Sequence, residues 1–554
     1  MDREAGGRED TANTALGVGR LHMGLVLGVL LLAAGVRLYG VLQAHLWWDE
    51  FWMLEVANGH GTLHEKLPAN VLIDKPPALT ALAQARPWWS IWTTLDQEPH
   101  PPLFYIILRW WRELVGPTEM AARLLPLLAS VACVLLMYRL VFLLHGPWPA
   151  FWAMLILSLG PQQIYFAQEL RSYSFLLALG LAACCLLIAI ERYGPDVKRL
   201  VGLGAVVLCL FLTHYLSVGS LVGLAVYAAL RLPRKTLRRV AITFAIAVLV
   251  FGLIWGPFLL QQHKTHTAQG VSEAFLADRG AGYVGREMLR LATIPAQALC
   301  VNTLWVHPPA WLIVIVLGGF LAPLIWLRRD RSGALLLWYL WFAGTLLPMV
   351  AGDLLNHFRT LAFARYTLSA EVAVAGVMAA IATLRGSSSD ESRDGSRRLA
   401  VRFAAPVLAA LIAAMSLPAA LTEVAAKPDW QPMIDQLRHT AGDGQPIIYA
   451  AENRAGSIVY LFASHYLDPS EHHPALILTL PLTPDLQHQL QASGGQWIVF
   501  TGQRQTLESL LPNASFDVIA GVDNYEGFMG GICARIIWKN ASAPFDRPAS
   551  RPFN

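Results

Sequence analysis

Long apolar runs recur along the chain, and short polar segments separate them. A helix that crosses a membrane needs about 20 mainly apolar residues. By that measure the pattern predicts about eleven spanning helices, several of them near the lower limit of length. Their approximate bounds are 21–42, 119–143, 150–168, 172–191, 199–216, 217–231, 239–261, 309–327, 333–351, 367–385 and 401–421. The first run is too long for the apolar part of a signal peptide and lacks a convincing cleavage site, so we interpret it as a retained helix.

Basic residues set the predicted orientation of these helices. Lys and Arg concentrate in polar segments that fall on one side of the predicted bundle: 191–199, 231–239, 327–331 and 385–398. Cytoplasmic loops are enriched in these two residues. We therefore expect a cytoplasmic N-terminal tail over 1–20, and we expect the chain after the last span to lie outside the cytoplasm.

Three polar pieces remain for the outer side. A first loop over 43–118 is rich in Trp and Pro, and a second loop over 262–308 contains several His. The third piece, 425–554, has β-like runs (PIIYAA, QWIVFTG, ARIIWKN) between helix-like stretches such as WQPMIDQLRHTA. That alternation predicts a small extracytoplasmic α/β domain. The predicted division is a membrane domain over 21–424, which includes the first loop, followed by this α/β domain.

Composition agrees with a polytopic membrane protein and excludes other classes. Of the 554 residues, 55% are hydrophobic and 14% are charged, against roughly 25% charged residues in soluble globular proteins. The net charge of +4 includes no block of like charges suited to nucleic acid. The sequence has no CxxC pair, no P-loop, and no Asp-x-Asp pair in the outer loops. We expect no nucleic-acid partner and no cofactor, and the sequence leaves the need for a metal open.

Polar groups gather at the predicted outer ends of the spans. The stretches are WWDE (47–50), DQEPHPPLFY (96–105), YFAQELRSY (165–173), FLTHY (211–215) and FRTLAFARY (358–366). Charged groups at membrane depth are costly and usually functional. The convergence of acid, His, Arg and Tyr on one face therefore favours a polar site.

Taken singly, these residues also have structural explanations. Asp49 and Glu50 suit the cap of an interfacial helix, and His100 suits an ordinary loop. Arg171 and Arg365 suit anchors that reach the membrane interface, and the nearby tyrosines suit an aromatic belt.

In this order, the stretches resemble motifs of the GT-C membrane glycosyltransferases. The matching pieces are LWWDEFW, HPPLFYIILRWW, GPQQIYFAQELRSYSFLLAL, THY and ARYTLSAEVAV. The chain is most similar to bacterial relatives of protein O-mannosyltransferases and lipid A aminoarabinose transferases, over most of 20–385. The resemblance implies a multi-helix fold with a large first external loop. It also implies a donor sugar carried on a polyprenyl phosphate.

The resemblance implies roles for individual residues. Asp49 is the expected catalytic base, and Glu50 is the expected helper that orients a substrate or an Arg. His100, Arg171 and Arg365 are expected near the donor phosphate or the acceptor.

A second motif gives an alternative phosphate contact. IDKPPAL (73–79) resembles the Lys-Pro-Pro of the aminoarabinose group, which makes Lys75 a second candidate beside His100. The remaining residues expected to line the site are Trp48, Tyr105, Glu169, Tyr173, His214, Tyr215 and Tyr366.

The implied chemistry needs few groups. A sugar on a polyprenyl phosphate already has a good leaving group, so the site needs a base for the acceptor and cations for the departing phosphate. One base without a second nucleophilic carboxylate predicts single displacement with inversion. We hypothesise transfer to a glycan, lipid or protein acceptor of the cell envelope, such as lipopolysaccharide, at a bacterial inner membrane. The alternatives are a transporter or flippase for lipid-linked sugars, which would place polar residues near the bilayer midplane, and a non-catalytic binder.

Overall fold

The computed structural model consists mainly of helices, with one small sheet. It describes residues 2–269, 280, 282–300, 309–330, 332–384, 414, 427–452, 456–468, 470–494, 496–523 and 530–539. The helices are α1 Asp2–Gln43, α2 Trp48–Ala57, α3 Leu63–Lys66, α4 Leu103–Val115, α5 Glu119–His145, α6 Pro147–Leu159, α7 Pro161–Tyr165, α8 Tyr173–Tyr193, α9 Val197–Thr213, α10 Ser217–Arg231, α11 Arg234–Gln269, α12 Tyr283–Cys300, α13 Ala310–Leu321, α14 Ala334–Asn356, α15 Ala364–Leu384, α16 Gln431–Thr440, α17 Gly456–Tyr466, α18 Pro484–Ala492 and α19 Arg504–Leu510. The strands are β1 Leu72–Ile73, β2 Ile447–Ala451, β3 Ala475–Leu478, β4 Trp497–Thr501, β5 Ala514–Val522 and β6 Gly531–Trp538.

The chain divides into two compact units. The membrane unit comprises Met1–Ala44 and Trp88–Ala426, and the sheet unit comprises His45–Pro87 and Lys427–Asn554. The sequence-based division assigned the whole first loop to the membrane domain. In the structure the first part of that loop belongs with the C-terminal residues instead, because it supplies β1 to their sheet.

The membrane unit confirms the predicted mainly α, polytopic class. Five of its described helical segments are long and apolar enough to cross a membrane: Gly19–Gln43, Glu119–His145, Tyr173–Tyr193, Arg234–His266 and Ala334–Asn356. Shorter apolar helices add Pro147–Leu159, Ser217–Arg231 and Ala310–Ile325. Of the predicted span 401–421 only residue 414 is described, and the basic segment 385–398 lies outside the described residues.

The predicted span 150–168 is interrupted in the structure. Helix α6 ends at Leu159, Gly160 is extended with φ −58° and ψ 125°, and Pro161 starts the short α7. A residue before proline is disfavoured in helical conformation because the proline ring crowds it, so the helix ends there. The break separates the apolar span from the polar stretch that follows it.

Two apolar helices of the membrane unit, α10 and α14, pack through glycines. A Cβ atom added at Gly219 of α10 would lie 2.5 Å from the carbonyl oxygen of Gly344 in α14. A Cβ added at Gly223 would meet the carbonyl oxygen of Leu340. Small residues at such positions let two helix backbones approach closely inside a membrane.

We expect Gly223→Leu to lower the thermal stability of the purified protein. The new side chain would collide with backbone, which cannot rotate away, and overpacking costs about 1–3 kcal/mol. Gly252→Leu in α11 is the control, because a Cβ there meets nothing within 4 Å. Thermal unfolding monitored by size-exclusion chromatography gives the melting temperature of each variant. Equal melting temperatures would contradict the close packing of α10 on α14 at Gly223.

The sheet unit holds one six-stranded sheet in the order β1-β3-β2-β4-β6-β5. Strands β3, β2 and β4 are parallel and fully buried, as expected for strands covered on both faces. The three predicted β-like runs form β2, β4 and β6, and the helix-like stretch at 430–441 forms α16. The predicted small α/β domain is therefore confirmed, although β1, β3 and β5 were not predicted.

Candidate functional site

The predicted site residues are distributed over both units. Those in the sheet unit are Trp48, Asp49, Glu50 and Lys75. Those in the membrane unit are His100, Tyr105, Glu169, Arg171, Tyr173, His214, Tyr215, Arg365 and Tyr366.

Four polar residues from distant parts of the membrane unit come together, and we call them the His–Arg cluster. Each stands where a helix begins or ends. His100 precedes α4, Arg171 precedes α8, His214 follows α9, and Arg365 lies in the first turn of α15. The structure thus gathers at one place the His and Arg side chains that the sequence predicted to converge.

The two imidazole rings of the cluster lie close to each other, and the Tyr173 ring lies beside them. The ring centroids of His100 and His214 are 4.5 Å apart, and that of Tyr173 is 6.1 Å from His214. The guanidinium carbon of Arg171 lies 5.8 Å from the Tyr173 ring centroid. His214 and Tyr173 also line a narrow cavity with Arg365, Tyr366, Ser217 and Thr345, among other residues.

Burial and positive neighbours give the cluster the chemistry that suits an anion. Burial, then His214, Arg171 and Arg365, lower the pKa of His100 well below its usual value, so its imidazole is neutral near pH 7. The positive charge therefore resides on the two guanidinium groups. His100 Nδ1 and His214 Nε2 are buried and have no hydrogen-bond partner within the described part of the chain. Oxygens of a bound phosphate would suit both the guanidinium charge and these nitrogens.

A glutamine that sequence reasoning missed holds the loop that carries His100. Gln262 near the end of α11 donates from Nε2 to the carbonyl oxygens of Leu95 at 2.8 Å and His100 at 3.3 Å. Its Oε1 accepts from the Tyr215 hydroxyl at 2.5 Å, and that hydroxyl accepts from Trp255 Nε1 at 2.9 Å. Tyr215 therefore contacts Gln262, which in turn contacts the loop that carries His100. The sequence signal for Gln262 was its place as a polar residue at the end of an apolar run.

Two other predicted lining residues are buried. Tyr105 donates its hydroxyl to Glu98 at 2.7 Å, and burial followed by Glu98 raises its pKa. This pair ties the start of α4 to the preceding loop, in which Glu98 stands two residues before His100. Glu169 is also buried, in the turn before α8.

The two adjacent acids occupy different surroundings in the sheet unit. Both lie in the first turn of α2, where the helix dipole stabilises negative charge. Glu50 is fully buried and its Oε2 lies 3.6 Å from Lys427 Nζ. Asp49 is partly exposed, and Trp48 is exposed. The structure therefore separates the two carboxylates, as expected for neighbours on a helix.

Lys75 is exposed in the sheet unit. It lines a cleft of about 320 Å³ together with Tyr449, Tyr460, Glu471 and His473, among other residues. No group of three or more His, Cys, Asp or Glu side chains suited to a metal ion occurs among the residues that the structure describes.

The fold is that of a polytopic membrane protein with the GT-C architecture. Residues 99–257, which include His100, Arg171 and His214, match the family model of dolichyl-phosphate-mannose-protein mannosyltransferases. No curated protein sequence matches the chain.

Solved structures of ArnT share the fold at low sequence identity, and one oligosaccharyltransferase gives a weaker match. ArnT from Cupriavidus metallidurans in the apo state is similar with TM-score 0.54 at 14% identity, over 94% of this chain and 98% of that chain. The same protein bound to undecaprenyl phosphate gives TM-score 0.54 at 14% identity, over 94% and 99%. The oligosaccharyltransferase of Archaeoglobus fulgidus gives TM-score 0.47 at 12% identity, over 86% and 69%. The family-model match and the ArnT fold confirm the predicted resemblance to GT-C membrane glycosyltransferases.

Proposed function

We propose that the protein is an inverting membrane glycosyltransferase. It moves a sugar from a polyprenyl-phosphate donor to an acceptor of the cell envelope, on the outer face of a bacterial inner membrane. The observation that carries this proposal is the His–Arg cluster, which combines two arginines with two facing imidazoles. The undecaprenyl phosphate bound to ArnT, a protein of the same fold, supports a lipid-phosphate ligand for this chain.

The His–Arg cluster would hold the donor phosphate through transfer. Negative charge grows on the phosphate as the bond to the sugar breaks, and preorganised cations stabilise that charge most strongly. Arg171 and Arg365 would supply the charge, and His100 and His214 would each donate a hydrogen bond. Because the leaving phosphate is a stable anion, no general acid is needed at this position.

Asp49 would act as the general base. Its carboxylate would take the proton from the acceptor hydroxyl or amine while that group attacks the anomeric carbon. One base and one displacement give inversion of the anomeric configuration. Glu50 is buried against Lys427. Glu50 would therefore support the start of α2 and would not take the proton itself.

The acceptor is a glycan, lipid or protein of the envelope, and lipopolysaccharide is one example. Mass spectrometry of envelope glycolipids from cells with and without this protein tests the function. We expect one glycosylated species to disappear and its unmodified acceptor to accumulate. Identical envelope glycans in both cultures, with glycosylated polypeptides also unchanged, would contradict an enzyme of this kind.

The proposed orientation can be tested by cysteine labelling in intact cells. Lys235 in the basic first turn of α11 should be cytoplasmic, and the exposed His488 of the sheet unit should lie outside. In a background without the native cysteines, a membrane-impermeant reagent should label His488→Cys and leave Lys235→Cys unlabelled until the cells are broken. The reverse pattern would contradict the orientation.

A further inference from the structure

The C-terminal part of the sheet unit begins with Lys-Pro-Asp-Trp at 427–430, which we call the KPDW segment. Within the same unit it contacts the residues at the start of the first loop, His45 to Phe51, which include the two adjacent acids. These two stretches are far apart in sequence, and side-chain contacts hold them together in the sheet unit.

The central contact is a buried ion pair. Lys427 Nζ lies 3.6 Å from Glu50 Oε2, and the side chains are 4% and 0% exposed. The same ammonium group lies 5.5 Å from the centroid of the Trp47 ring. The Trp47 backbone N–H donates to Glu50 Oε2 at 3.3 Å. The Glu50 carboxylate thus contacts Lys427 and also accepts a hydrogen bond from Trp47, the N-cap residue just before α2.

Flanking contacts fix the same two stretches to each other. His45 Nδ1 lies 3.3 Å from the Asp429 carboxylate. Trp430 is buried and meets Phe462 of α17 edge to face at 5.2 Å. Phe462 in turn stacks on Phe51 of α2 at 4.8 Å. The KPDW segment therefore contacts the start of α2 directly through Lys427, contacts the preceding His45 through Asp429, and reaches Phe51 through Phe462.

Removing one member of this ion pair would have a large effect. A buried ion pair adds little net stability over an apolar pair, but the loss of one partner leaves an uncompensated charge inside the protein. We expect the first turn of α2 to shift in response, because a shift toward water lowers the cost of the remaining charge. Asp49 lies in that turn and would move with it.

We infer that Lys427 is a positioning residue for sugar transfer. By neutralising Glu50 it keeps the first turn of α2, and hence the Asp49 carboxylate, in the position that transfer requires. This inference rests on the proposed function and deepens it. It makes the KPDW segment part of the transfer machinery.

Transfer kinetics with a polyprenyl-phosphate sugar test the inference in the full-length protein. Lys427→Met should lower kcat by about 10²-fold, the effect of a misplacement of about 1 Å, with little change in KM for the donor. Lys427→Arg keeps the positive charge and should stay within about tenfold of wild type. Lys427→Met combined with Glu50→Gln removes both charges and should recover most of the loss, as coupled partners do. Arg504→Met, which breaks an exposed pair with Glu508 in the same unit, is the control and should leave kcat unchanged.

Hydrogen exchange of the α2 amides gives a readout independent of transfer. We expect faster exchange over 48–57 in Lys427→Met and restored protection in the double variant. Wild-type kcat and unchanged exchange in Lys427→Met would overturn the inference, and so would a double variant no better than the single one. If wild type itself transfers nothing, the proposed function fails, and the exchange data still decide whether Lys427 holds α2.

Discussion

Asp49→Asn should lower turnover by about 10²–10⁴-fold, the range for the loss of a general base. The amide keeps the shape of the side chain and most of its hydrogen bonding, but it cannot take a proton from the acceptor. Asp49 is partly exposed at the start of α2, so the substitution should not unfold the sheet unit. We therefore expect normal yield and donor binding together with slow transfer.

Single-turnover measurements with the purified variant separate chemistry from binding. Asp74→Asn is a suitable control because Asp74 lies in the same loop, with a side chain that is 78% exposed. That variant should transfer sugar at the wild-type rate. If Asp49→Asn matched it, another residue would be the base.

The second large effect is expected at the His–Arg cluster. Arg171→Ala and His100→Ala should each lose about 1.5–3 kcal/mol of transition-state stabilisation, the usual contribution of a charge-assisted hydrogen bond. The loss would be measured as a lower kcat/KM. This corresponds to a loss of about 10- to 150-fold for each variant. Each substitution would remove a preorganised hydrogen-bond donor that stabilises the negative charge growing on the departing phosphate.

Arg192→Ala provides the matched control for Arg171. Arg192 lies in the last turn of α8, at the end of the helix opposite to Arg171, and donates to the carbonyl oxygen of Leu144. Its removal should leave donor use unchanged. Full activity in the purified Arg171→Ala/His100→Ala double variant would show that these residues are structural.

The helices of the membrane unit were largely predictable because a bilayer imposes a simple rule on sequence. Runs such as 119–143 and 172–191 must be mainly apolar over about 20 residues, and the structure places helices at Glu119–His145 and Tyr173–Tyr193. The break at Gly160 was not predicted, because composition alone cannot separate a short apolar helix from a long one. The Gly160-Pro161 pair was the available signal.

The site was predictable only in part. His100, Arg171, His214 and Arg365 stood out because their stretches converge on one predicted face and resemble GT-C motifs. The four residues lie close to one another in the membrane unit. Gln262 and Lys427 did not stand out. Each acts through a partner more than 150 positions away, at His100 and Glu50, and local pattern carries no information on such pairings. For the same reason, the grouping of the first part of the first loop, His45–Pro87, with the C-terminal sheet was visible only in the structure.

The donor class is the central claim, and a transfer assay with purified wild-type protein tests it most directly. The protein is incubated with an envelope acceptor extract and either a polyprenyl-phosphate sugar or the matching nucleotide sugar. We predict transfer from the lipid donor, with release of polyprenyl phosphate, and none from the nucleotide sugar. Transfer from the nucleotide sugar, or movement of the lipid donor across a bilayer without cleavage, would contradict the account.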